Sequence, residues 1–223
     1  MTPTPRVRKL LLTVHVVTSV GWLGAVVAYV ALAVVGLTSQ DPQVAQASYL
    51  SMWVGARFVV VPFSIATMLS GMVEAITTRW GLFRHWWVVA KLALTTVAAL
   101  ILWQHVPAVL RMATLARDSA LAAGDLRALQ LQLVLHAVGG LLVLLTATAL
   151  SVYKPRGMTP LARRHEGERR DAATFALAAP VGVTPASNPA MGAPRWVYVV
   201  GIHAAVLAAA IVVLHLSGGG IRH

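Results

Sequence analysis

Residues 10–37 read LLLTVHVVTSVGWLGAVVAYVALAVVGL, a run without one charged side chain. As a helix rising ~1.5 Å per residue it reaches about 40 Å, enough to cross a ~30 Å hydrocarbon core with some tilt. It carries one ionisable group, His15, and Ser19 and Trp22 follow at helical spacing, so the three share a face. Gly21, Gly24 and Ala25 form a patch of small residues where a second helix can approach closely. Arg6, Arg8 and Lys9 ahead of the run and Ala31-Leu32-Ala33 inside it imitate a signal peptide. The run is about twice the length of the usual h-region, so it reads as a retained helix.

The whole chain agrees. Of its 223 residues 58% are hydrophobic and 11% charged, too apolar for a soluble domain of this size. There is no cysteine, which excludes disulfides, iron–sulfur clusters and thiolate metal sites and leaves histidine as the main soft ligand. The formal charge of +11 has a topological account: most of the Lys and Arg fall in segments assigned to the inner side, within 6–9, 79–91 and 154–195. A nucleic-acid role would need a folded basic surface with aromatics, and the basic segment shows neither. No phosphate-cradling glycine loop, zinc-protease helix or nucleophile elbow is present, so an enzyme is not indicated.

Taken in order, the sequence predicts an all-α membrane protein, a four-helix transmembrane bundle plus a fifth C-terminal transmembrane helix. Residues 1–9 form a short basic tail. Residues 38–51 are polar, carry one acid and no base, and belong outside. The second helix spans about 52–77, with Arg57 near its outer end, Glu74 near its inner end and a kink at Pro62. An inner loop, 78–87, holds Trp80, Trp86 and Trp87 as interfacial anchors. The third helix starts near Trp86, passes Gln104 and His105 to Pro107, and continues as an amphipathic tail. Gly124-Asp125 supplies a break and an N-cap for the fourth helix, 126–153. The four-helix core thus occupies 1–157. Residues 158–194, basic and then Ala/Pro-rich, read as a mobile cytoplasmic linker, and 195–223 hold the fifth helix and a short tail. The charge distribution puts the N-terminus inside and the C-terminus outside a bacterial plasma membrane. The basic stretch 154–170 is placed to meet anionic lipid headgroups.

Each ionisable residue inside a bilayer costs about 2.5 kcal/mol or more and needs a reason. By depth they fall into two layers. Arg57, Gln104, His105, Gln132, His136 and His215 lie roughly 23–32 Å above the inner boundary, and His15, Glu74, Lys91 and His203 within roughly 5–11 Å of it. The sharpest chemical expectation is haem b, which needs two axial imidazoles from different helices at similar depth. His105 with His136 is the outer pair, with Arg57 toward a propionate; His15 with His203 is the weaker inner pair. A copper-like ion or small-solute transport site built on the same layers, and an accessory subunit with no site, are the alternatives. The plainer account of the histidines is a hydrogen bond across the bundle to Ser, Thr or a carbonyl. Arg57 and Lys91 are near enough to helix ends to snorkel. Glu74 is in reach of Lys91 or Arg79, Met68 and Met72 fit a packing role, and His85, His165 and His223 fall in loops or at the terminus.

Several segments carry a resemblance: His15 with Gly21-Trp22-Leu23-Gly24; Arg57-Phe58-Val59-Val60-Val61-Pro62; Trp80-Gly81-Leu82-Phe83-Arg84-His85-Trp86 followed by Lys91; His136-Ala137-Val138-Gly139-Gly140; and Tyr153-Lys154-Pro155-Arg156-Gly157. Over about residues 8–157 the chain resembles a family of bacterial integral membrane proteins with no assigned activity. The resemblance implies a four-helix core and no particular chemistry. A looser similarity runs to copper-resistance membrane proteins and b-type cytochromes, which also carry histidines in helical bundles.

Overall fold

The structure, a computed structural model, describes residues 4–77, 82–118, 126–155 and 157–177. The described residues are helical apart from short connections and one isolated bridge. α1 is Pro5–Thr38. It begins before the apolar run because the Thr4 hydroxyl accepts a bond from the Val7 N–H at 3.5 Å and Pro5 takes the first helical position, where its missing N–H costs nothing. The basic tail is thereby drawn into the first turns.

The polar segment 38–51, expected to precede the second helix, is itself mostly helical. α2 runs Pro42–Gly55, and only residues 39–41 turn the chain. Asp41 is the cap: its Oδ1 accepts from the Gln43 N–H at 2.8 Å, and Pro42 follows as the first helical residue. Asp41→Ala removes that acceptor, and we expect it to cost about 1 kcal/mol. Faster amide exchange confined to the first turn of α2 is the measurement that checks it.

At Ala56–Val60 the helix widens to a π turn, with the Val61 N–H bonded back to the Ala56 carbonyl, and α3 continues as Val61–Thr77. Pro62, which has no N–H to give, sits directly after the widened turn, so the irregularity expected at the proline is taken up ahead of it. α4 is Trp86–Arg117, passing through Pro107 without ending, and α5 is Arg127–Tyr153. The break expected at Gly124-Asp125 lies outside the described residues. α5 stops where Lys154 turns left-handed (φ 41°) and Pro155 follows.

Of residues 158–194, expected as a mobile linker, 160–177 form a helix whose start meets the loop before α4. α6 is Pro160–Leu177. Its start is pinned by Thr159, whose N–H donates to the Arg84 carbonyl at 3.0 Å and whose hydroxyl donates to the Phe83 carbonyl at 2.6 Å. His85 and Met158 form an antiparallel bridge, and Arg84 pairs with Glu166 at 3.0 Å. The remainder of the linker, 178–194, and the fifth helix with His203 and His215 lie outside the described residues.

Four helical stretches, Pro5–Thr38, Pro42–Thr77, Trp86–Arg117 and Arg127–Tyr153, are long and apolar enough to cross a membrane. They pack in a ring: α1 lies against α2–α3 and α5, and α4 closes the circle against the same two neighbours. Successive members are antiparallel, so α1 and α4 share a direction. The core is apolar through the half of the bundle holding the C-terminal part of α1, around Tyr29, Tyr49, Met52, Met112 and Leu133. Small residues set the helix spacing there, with Gly36 directly under the Tyr49 ring. Gly21 sits under Phe63, whereas Gly24, assigned to the same small patch, faces open space. The exterior is as apolar as the core: Val17, Val20, Phe58, Leu69, Ile76 and Val152 are all more than half exposed. Water penalises such a surface and hydrocarbon accepts it.

Candidate functional site

The polar residues collect at two levels inside this apolar shell. The first is built where α1, α3, α4 and α5 converge. On α1, His15 is buried, and its Nδ1 lies 3.1 Å from Ser70 Oγ of α3 while its Nε2 lies 3.4 Å from Lys91 Nζ of α4. Partner chemistry assigns the proton. A lysine ammonium can only donate, so Nε2 accepts, Nδ1 carries the hydrogen and donates to Ser70, and Ser70 donates to the Thr67 carbonyl at 3.2 Å. Thr18, 3.4 Å from Ser70 Oγ, flanks the chain. The ring is also wedged by backbone: Gly71 of α3 passes so near that a Cβ there would stand 2.9 Å from His15 Cε1. Glu74 and Lys154 are the charges that act on Lys91, one attractive and one repulsive. The described residues place no carboxylate within salt-bridge distance of its ammonium.

Beside this chain is a cavity of about 50 Å³. α1 lines it with Ser19, Trp22 and Leu23, α3 with Thr67, and α4 with Lys91 and Thr95. α5 supplies Leu144, Ala147, Thr148 and Ser151. Three of the hydroxyls give their protons to their own helices: Thr95 to the Lys91 carbonyl at 2.9 Å, Thr148 to Leu144 at 2.8 Å and Ser151 to Ala147 at 2.9 Å. Trp22 Nε1 and Thr67 Oγ1 are buried and have no hydrogen-bond partner among the described residues. Such groups cost about 1–3 kcal/mol each when left unsatisfied, so they mark a place where something polar belongs.

The second level is the expected outer pair. His105 of α4 and His136 of α5 are both buried and do come together, their rings stacked face to face with centroids 4.2 Å apart and planes 6° from parallel. His136 Nδ1 donates to the Gln132 carbonyl at 2.8 Å. Two axial ligands must point a nitrogen at one iron from opposite faces of a porphyrin. Rings in mutual contact leave no slot for the macrocycle, so these residues as placed do not fit a haem between them. Arg57 is exposed on the exterior of the π turn, away from a role in a buried site, and Gln104 is exposed as well. His203, the expected partner of His15, lies outside the described residues; among the described residues His15 meets Ser70 and Lys91. Among the described residues no group of three or more His, Asp or Glu is arranged to hold a metal ion.

The inner level joins His15 and Lys91 of the expected inner layer with hydroxyls that charge alone could not reveal, while Arg57 and Gln104 of the expected outer layer are exposed. A stripe was present to be read: Ser64, Thr67, Ser70 and Glu74 recur at intervals of three and four on α3, as do Lys91 and Thr95 on α4, and Thr148 and Ser151 on α5. Hydroxyls are common in membrane helices, where they bond to the preceding turn, and this hides the stripe until the helices are packed. The class the structure defines is an all-helical bundle with an apolar exterior and a polar cavity between the helices near one end. Compared with family models, curated proteins and solved structures, the chain matches none.

Proposed function

We propose that this is an integral plasma-membrane protein that binds a small polar solute within the bilayer and passes it across, with the Lys91 cavity as its binding site. The observation that carries the reading is the combination at one cavity of a half-buried lysine, with no carboxylate within salt-bridge distance among the described residues, and two buried polar groups without a hydrogen-bond partner there. In a bilayer a titratable residue turned inward marks a pathway by default, because an idle one would be costly. The N-terminus of α1 is cytoplasmic in this reading, since the loop before α4 and α6 gather the positive charge. Arg169 and Arg170, exposed on α6, then face anionic headgroups, while Glu166 and Glu168 are engaged by Arg84 and Arg164.

The test is entry of chloride, nitrate, formate and urea into proteoliposomes, followed by stopped-flow light scattering. At least one should enter faster than into protein-free vesicles. Lys91→Met should reduce that rate by about 10–100-fold, the worth of roughly 1.5–3 kcal/mol for hydrogen bonds to a charged group. Equal rates for all four solutes with and without protein, rates indifferent to Lys91→Met, or a Soret band from the purified protein would overturn the reading.

A further inference from the structure

Resting on the reading of the Lys91 cavity as a solute site, we propose that its occupant is a small monovalent anion, of the size of a halide, nitrate or formate. The argument is one of donors. Lysine ammonium and the indole N–H can donate and never accept. Lys91 has three N–H bonds, and one is directed to His15 Nε2 at 3.4 Å. That leaves two, together with the buried Trp22 Nε1–H, and both residues line the same small volume. Thr67, buried and without a partner for its hydroxyl, can turn its proton inward as a further donor. The oxygens of Thr95, Thr148 and Ser151 have their protons fixed on backbone carbonyls, so they serve the hydration of an occupant rather than its charge.

Charge points the same way. Lys91 is the charged residue of the lining; of the two charges that act on it, Glu74 is the larger and Lys154 the smaller, and neither lines the cavity. A cation would enter against the Lys91 ammonium with no carboxylate among the described lining residues; an anion meets complementary charge there in a medium of low dielectric constant, where that charge counts most. Size narrows the class. A volume of 50 Å³ accommodates roughly three waters at about 15 Å³ of probe-occupied space each. It therefore admits a monatomic or small flat anion with a water. His15, held between Ser70 and Lys91, orients the ammonium and is a positioning residue here.

The experiment is equilibrium binding of radioactive chloride to the purified full-length protein in detergent, with gluconate, too large for the cavity, holding ionic strength constant. About one chloride per chain should bind saturably and be displaced by bromide, nitrate and formate. Lys91→Met should weaken binding at least tenfold and Trp22→Phe, which keeps an aromatic ring but loses the indole N–H together with the five-membered ring that carries it, about threefold or more. Circular dichroism of each variant establishes that it is folded, and Trp22→Phe gives a second reading where Lys91→Met does not assemble. Absence of saturable chloride binding, or binding unchanged in both variants, overturns the anion. If urea entry still depends on Lys91 in that case, the solute site stands with a neutral occupant; if no solute depends on Lys91, the site itself falls, and the cavity holds water only.

Discussion

Gly71→Leu is expected to lower stability by about 3 kcal/mol and to abolish any solute binding that depends on Lys91. The reason lies in what surrounds the position rather than in helix propensity, which leucine would improve. A Cβ on residue 71 would meet His15 Cε1 at 2.9 Å and Nδ1 at 3.3 Å. An imidazole can give way to a neighbour only if it is free to rotate. This one is held at both nitrogens, by Ser70 at 3.1 Å and Lys91 at 3.4 Å, so any movement that relieves the clash breaks a buried hydrogen bond. Overpacking alone costs about 1–3 kcal/mol, and a stranded buried donor adds about 1–3 kcal/mol more, the two partly overlapping. Gly55→Leu is the control, since a Cβ there meets open space. Thermal unfolding in detergent should separate the two by several degrees. A Gly71→Leu protein as stable as the Gly55→Leu protein would show that α1 and α3 do not approach in this way.

The parts of this fold visible in the sequence are those governed by one-dimensional signals. A run such as 10–37 has only one stable arrangement in hydrocarbon, because its backbone must bond to itself, so its helix could be read directly. The loop at 38–51 was misjudged because polarity was weighed against capping: Asp41-Pro42 is a start signal for a helix whose first turns are simply polar. The contact that starts α6 is hidden for a different reason. It depends on Thr159 reaching carbonyls of residues 83 and 84, more than seventy positions earlier, and no local composition encodes that. The same limit applied to the site. Depth along each helix placed His105 level with His136 and His15 level with Lys91. Rotation decided the rest: it turned the first two rings flat against each other, and it brought Ser70 to His15.

Met112→Ala should have the second large effect, and its size tests whether the bundle holds together by packing. Met112 has no exposed surface and lies in the core with Met52, Ala116, Tyr49 and Leu133. In a soluble protein Met→Ala at such a place costs about 2–5 kcal/mol, part of it the transfer of side-chain atoms back toward water. Within a bilayer the transfer part largely disappears, because lipid tails are as apolar as the core. What remains is the cavity, whose lining loses contact atoms outright, so the expected cost falls to about 2 kcal/mol. Val152→Ala, at a position 71% exposed, removes apolar atoms from the exterior and should cost nearly nothing by the same reasoning. The comparison is made by titrating both variants with a denaturing detergent while monitoring helix content. A loss for Met112→Ala several times that for Val152→Ala is what interdigitated α1, α2, α4 and α5 require. Equal losses would mean that these helices are held by their connections and by the polar chain through His15, with the apolar core contributing little to their association.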